Sequence, residues 1–200
     1  MALSLTDKLV GFIVRPVETF RAVRDEELAP PAIYWIVLLI INAILTGILA
    51  YLGYGAATSM QTGINIGGGA GAFIAGLIGA IIFGIIGLIL WSIFLHIGAK
   101  IVGGRGDFAD SFKSAVYAQT PSLLLGWIPI ISIIFTLWAI VLLFLGVREL
   151  HELDTMKAVI AVIVAVVLYI IVIVILALLG LALIGGIAGL ASVPGVTSPT

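Results

Sequence analysis

The chain contains no cysteine, which excludes disulfides, thiolate metal sites and a cysteine nucleophile. Charge is scarce as well. Nine Lys/Arg and ten Asp/Glu make up 10% of the residues and leave a net charge of −1, so there is no basic excess with which to hold nucleic acid. Catalytic patterns are missing too. There are two histidines, with no HExxH pairing, and no nucleophile set beside a base. Gly103-Gly104-Arg105-Gly106-Asp107 has no Lys-Ser/Thr behind its glycines, so it is not a phosphate-cradling loop. The first apolar stretch, Leu9–Val14, is followed by Arg15-Pro16 rather than by a small-residue cleavage pattern, so no cleavable signal peptide is expected. These absences argue against an enzyme and against any cofactor.

What is present is apolar. The chain is 62% hydrophobic with a mean hydropathy of +1.35, far outside soluble composition. The charges fall in three clusters, at 1–31, 100–113 and 148–157, and none lies inside a long apolar run. If two spans separate each cluster from the next, every charge lies on one face of a bilayer. Lys and Arg are retained on the cytoplasmic side. The expectation is therefore an all-α, polytopic membrane helical bundle of five transmembrane helices, N-terminus inside and C-terminus on the opposite side.

The spans read as 32–52, 72–99, 110–127, 130–147 and 158–179, the last with a glycine-rich extension to 190. The first covers about 31 Å at 1.5 Å per residue, enough to cross the hydrocarbon. Tyr34 and Trp35 stand at its inner end, where aromatic belts sit. Ser114–Trp127 is short and contains Pro121, so span three is expected to start near Asp110 and to kink. Trp127-Ile128-Pro129 is the turn after it. Residues 1–31 form an N-terminal amphipathic interfacial arm, 32–190 the membrane domain and 191–200 a disordered tail. In the arm, Ser4-Leu5-Thr6-Asp7 is a helix start and Arg15-Pro16 begins a second helix. Phe20 and Val23 then face the leaflet while Glu18, Arg21, Arg24 and Asp25 face water. Gly53–Gly71 is an uncharged and flexible outer loop.

Span two carries a stripe of small residues, Ala72, Gly76, Ala80 and Gly84. Such a stripe lets helix backbones approach closely, within the bundle or across a homo-oligomer seam. Asn42, Thr46, Ser92, Ser132 and Thr136 serve as inter-helix hydrogen-bonding groups. With no Asp, Glu, Lys or Arg buried in the spans, ion-coupled transport lacks its usual parts. His96, Asp107 and His151, with Glu149 and Glu152 as further carboxylates, are weak metal candidates near the charged face, because imidazole and carboxylate ligate divalent ions but no metal spacing is present.

Three segments together resemble the Yip domain family, the Ypt/Rab-interacting proteins and their prokaryotic relatives. They are Arg15-Pro16-Val17-Glu18-Thr19-Phe20 with Val23-Arg24; His96–Lys100, Gly103–Phe108 and Tyr117–Pro121; and Gly146–His151 with Lys157-Ala158. The resemblance covers about residues 8–170 and implies five spans with a cytoplasmic N-terminus. It also implies a role in membrane organisation or traffic. The chain lacks the Asp-Leu-Tyr-Gly-Pro motif and the long N-terminal region of eukaryotic members, so small-GTPase binding is not carried over. The form is similar to short prokaryotic members, which implies the cell membrane of a prokaryote.

The expected function is a non-catalytic scaffold or adaptor embedded in the lipid bilayer. Its cytoplasmic rim, with Arg105, Asp107, Arg148, Glu149 and His151, engages a protein partner or organises lipid. A small-solute channel or permease is the alternative, and a metal-dependent membrane protein is a third reading.

Overall fold

The computed structural model describes residues 3–49, 51, 70–128 and 131–191, and no strand occurs among them. In chain order the helices are α1 (Leu5–Val14), α2 (Pro16–Ala22), α3 (Ala29–Leu49), α4 (Ala70–Ile101), α5 (Phe108–Ala118), α6 (Thr120–Leu125), α7 (Ser132–Leu150) and α8 (Thr155–Ala191). Four of them, α3, α4, α7 and α8, are long and apolar enough to cross a membrane. The protein is a multi-pass membrane protein. Residues 53–69 of the expected outer loop, Pro129 of the expected turn and the tail after residue 191 lie outside the described residues.

Local chemistry accounts for the helix starts. Ser4 accepts from the Asp7 amide while Asp7 reaches back to the Ser4 amide, closing a capping box on α1. Pro16 opens α2 and Pro121 lies in the first turn of α6, positions that need no amide donor. The second capping box, Asp107 with Asp110, starts α5. Span three is therefore not one kinked helix. It is two helices broken at Gln119, and this pair is not among the four continuous membrane-length helices.

The short helix α5 is the hub. It packs on α3, α4 and α7, and Ser111 and Lys113–Ala118 are all buried. Its Ser and Ala positions let these neighbours come close. Elsewhere glycine sets the approach. A Cβ at Gly98 of α4 would sit 2.2 Å from the Ala161 carbonyl oxygen on α8, so these two backbones touch directly there. At Gly84 the neighbours are Leu39 and Trp35 of α3, at 3.2 and 3.3 Å, so this end of the small-residue stripe packs inside the bundle. Ala80 is half-buried, and the surroundings of Ala72 and Gly76 fall outside the description.

Two expectations change. Phe12, Phe20 and Val23 have zero exposure, so the apolar face of the arm is covered by protein and not by a leaflet. Phe20 fits against Gly146 of α7, where a Cβ would meet its ring at 2.9 Å. Tyr34 and Trp35 likewise point inward. They bond Thr120 at 3.0 Å and Gln119 at 3.1 Å instead of forming a lipid-facing belt. The break between α5 and α6 leaves side-chain and backbone groups that α3 satisfies, whereas the arm is held by its aromatic rings against Tyr117 and α7.

Candidate functional site

The three charge clusters meet at one end of the bundle. Glu152 joins them. It follows the α7 cap with φ of 54°, in the left-handed region where glycine is usual and other residues cost about 1 kcal/mol. The Leu153 amide bonds the Arg148 carbonyl at 3.0 Å, closing the helix end around it. From that position the Glu152 carboxylate lies 3.2 Å from Arg24 and 3.6 Å from Arg105. Arg24 also donates to the Glu149 carbonyl at 2.6 Å, and Arg21 to the Glu149 carboxylate at 2.7 Å. The Arg105 amide donates to the His151 carbonyl at 3.0 Å. The arm, the α4–α5 loop and the α7–α8 loop are thus tied into one surface.

A cavity of about 420 Å³ opens on this surface. Arg24, Arg105 and Lys113 line it together with the carboxylates of Asp25, Glu26, Asp107, Asp110 and Glu152. Lys113 is almost fully buried, with its ammonium 2.9 Å from Asp110 and donating to the Arg24 carbonyl. Those two partners are what make its burial tolerable.

Beneath the α4–α5 loop, Ser111 links two imidazoles. Its hydroxyl lies 2.9 Å from His151 Nε2 and 3.2 Å from His96 Nδ1. His151 is fully buried, and its Nδ1 has no partner among the described residues. Burial pushes its pKa down to about 4, against an opposing pull from Asp110, so the ring is neutral near pH 7. Gly106 covers it. A Cβ there would fall 2.7 Å from Nδ1 and 2.8 Å from the Leu150 carbonyl. The two histidine rings stand 6.3 Å apart, but both face the Ser111 hydroxyl and Asp107 is turned to the α5 cap. Among the described residues no three His, Cys, Asp or Glu side chains converge on a metal position.

One polar group lies deeper. Lys8 is 5% exposed and donates to Glu26 at 2.8 Å and to the Tyr117 hydroxyl at 3.0 Å. Tyr117 in turn donates to Glu26, and Phe12 stacks on its ring. Along the spans, polar side chains find acceptors on backbone carbonyls. Asn42 donates to the Leu123 carbonyl and Ser92 to the Leu88 carbonyl of its own helix.

Of the residues singled out from sequence, Arg105 and Asp107 are exposed, and Arg148 pairs with its neighbour Glu149. Glu149 anchors the arm and His151 underlies the loop. Sequence reasoning does not pick out Arg24 and Lys113 as site residues and weighs Glu152 only as a metal carboxylate. Membership of a charge cluster is their one signal, and it does not say what they meet.

A model of the Yip1 domain family matches residues 10–179. No curated protein matches the chain, and no solved structure does.

Proposed function

The chain belongs to the Yip1 domain family, and on that premise we propose that it is a non-catalytic membrane scaffold whose charged rim faces the cytoplasm and docks a protein partner. The observation that carries this reading is the rim itself. Three segments far apart in sequence are held in one shaped, ion-paired surface by Glu152 and Glu149. A fixed constellation of exposed charges is what a partner can read. The permease reading is less well supported, because Tyr34, Trp35, Asn42, Thr120 and Gln119 bond one another or backbone carbonyls. Groups used in this way act as polar glue between helices.

In this reading the broken α5–α6 pair completes a five-span topology with the N-terminus inside. Residues 1–31 are the arm, 32–190 the membrane domain and 191–200 a tail beyond the opposite face. The arm still meets lipid through Val10 and Val14, which are 56% and 65% exposed, while Phe12 on its other side locks it to the bundle.

The test is the Arg105→Ala, Asp107→Asn double variant in native membranes, in which asparagine keeps the α5 cap. Crosslinked partners are lost while insertion and stability stay normal. Retention of every partner, or solute flux through the purified protein in liposomes, would refute the scaffold reading.

A further inference from the structure

We propose that the outward face of α1 is a wedge set into the lipid leaflet on the rim side, and that it biases the protein toward membrane that bulges on that side. The inference rests on the scaffold reading's placement of the arm and adds a lipid surface of stated shape as a second partner.

α1 is fixed on two sides. Lys8 and Phe12, four residues apart, face the bundle and are buried. Phe12 stacks on Tyr117, and Lys8 holds Glu26. Next to them α2 closes in, since a Cβ at Gly11 would fall 2.5 Å from the Thr19 hydroxyl. Val10 and Val14 stand two residues out of step with Lys8 and Phe12, which in a helix is about 200° round the axis. They are exposed, as is Ile13, and residues 9–14 carry no charge.

Lipid is what lies at that depth. The Lys8 ammonium stands 6.0 Å from the centre of the Tyr34 ring, on the second turn of α3, and α1 also packs on α6. α3 is long and apolar enough to cross a membrane, and Ile33 and Ile36, which flank Tyr34 in sequence, are exposed. The α1 strip thus continues the lipid-facing surface of a span. Directly after it, Arg15 is exposed with no ion pair among the described residues, placed to reach a lipid phosphate from the headgroup layer.

The wedge does not swing clear, because Phe12 and the Lys8–Glu26 pair hold the arm to the bundle. α1 therefore adds cross-section at headgroup depth on the rim side. Membrane that bulges on that side has looser headgroup packing and accommodates an inserted apolar helix face more readily.

The test uses the full chain, which has no cysteine of its own. For depth, Val14→Cys carries an environment-sensitive dye in phosphatidylcholine vesicles doped with a lipid bearing a nitroxide near its headgroup. Glu18→Cys, on the exposed side of α2, is the aqueous control. The dye at position 14 is quenched at least twofold more than the dye at position 18. For shape, Glu27→Cys is labelled with an impermeant fluorescent maleimide, so that only copies with the rim outward are seen, and narrow tubes are drawn from giant vesicles. The labelled protein is enriched at least twofold in the tube over the flat membrane. Adding Val10→Gln and Val14→Gln, good helix formers at exposed positions, abolishes the enrichment. If that variant fails to fold, the quenching and the sorting of the otherwise unchanged chain still decide. Equal quenching at positions 14 and 18, whether water or a second copy covers the face, overturns the proposal. So does a labelled protein that is not enriched, or one that sorts no differently from its variant. The crosslinking test of the rim does not involve Val10 or Val14, so partners lost there without any sorting leave the scaffold reading standing and remove only this inference.

Discussion

Lys8 Nζ lies 2.8 Å from both carboxylate oxygens of Glu26, and the two side chains are only 6% and 12% exposed. With the Tyr117 hydroxyl at 3.0 Å from the same nitrogen, this pair fastens the arm onto the broken helix at the centre of the bundle.

Removing one partner strands a buried charge, which costs about 3–5 kcal/mol. Lys8→Met is therefore expected to destabilise the protein by about 3 kcal/mol. Lys8→Met combined with Glu26→Gln should cost clearly less than the sum of the single changes. Thermal unfolding in detergent across the double-mutant cycle measures this. Strict additivity would mean the pair contributes nothing.

The glycines of α4 separate by what they touch. Gly98→Ala drives a methyl into the Ala161 carbonyl, and Gly84→Leu presses on Trp35 and Leu39. Each should lower stability by an amount on the order of 1–3 kcal/mol. A Cβ at Gly87 would have nothing within 4 Å, so Gly87→Ala should be neutral or slightly stabilising through helix propensity. A flat response at all three positions would place these contacts in lipid.

Acid should loosen the rim through His151. Its neutral form is favoured in the folded state, with a pKa near 4 against an ordinary 6.5. Between those values the unfolded chain holds a proton that the folded chain does not. This contribution is complete above pH 6.5 and falls away as pH drops toward 4, by an amount on the order of 3 kcal/mol. His151→Gln removes the titrating group, so its stability profile over pH 4–6.5 should be flatter than that of the parent chain. Parallel profiles would assign the acid sensitivity to other groups.

Because the chain has no cysteine, single replacements report topology without background. An impermeant maleimide applied outside should label Ser198→Cys directly and Arg105→Cys only after permeabilisation. The opposite pattern would invert the bundle, and labelling of both from outside would remove the broken crossing.

Much of the architecture is legible in the residues. The charge clusters separate the apolar runs, and four of those runs become the continuous helices α3, α4, α7 and α8. Local starts are legible as well, since Ser4 with Asp7 and Pro16 act through neighbours a few residues away. The family resemblance read from those charged segments agrees with the family model that matches residues 10–179.

Periodicity shows that Phe12, Phe20 and Val23 share an apolar face, but it does not say whether lipid or protein covers it. Charge patterning places Lys8 and Lys113 at a surface. Both are buried, because Glu26 and Tyr117 in one case and Asp110 and the Arg24 carbonyl in the other come to meet them. Nor does a small-residue stripe reveal that Gly98 is the residue that touches another backbone while Gly87 touches nothing. Lys8 and Tyr117 are 109 residues apart in the chain and Arg24 and Glu149 are 125 apart. Composition, helix period and capping act over a few residues and are written locally, so the sequence alone determined the long helices and the membrane setting. Pairing across more than a hundred residues depends on how the helices cross, and only the tertiary structure decided which charges were sealed inside and which were left facing the cavity.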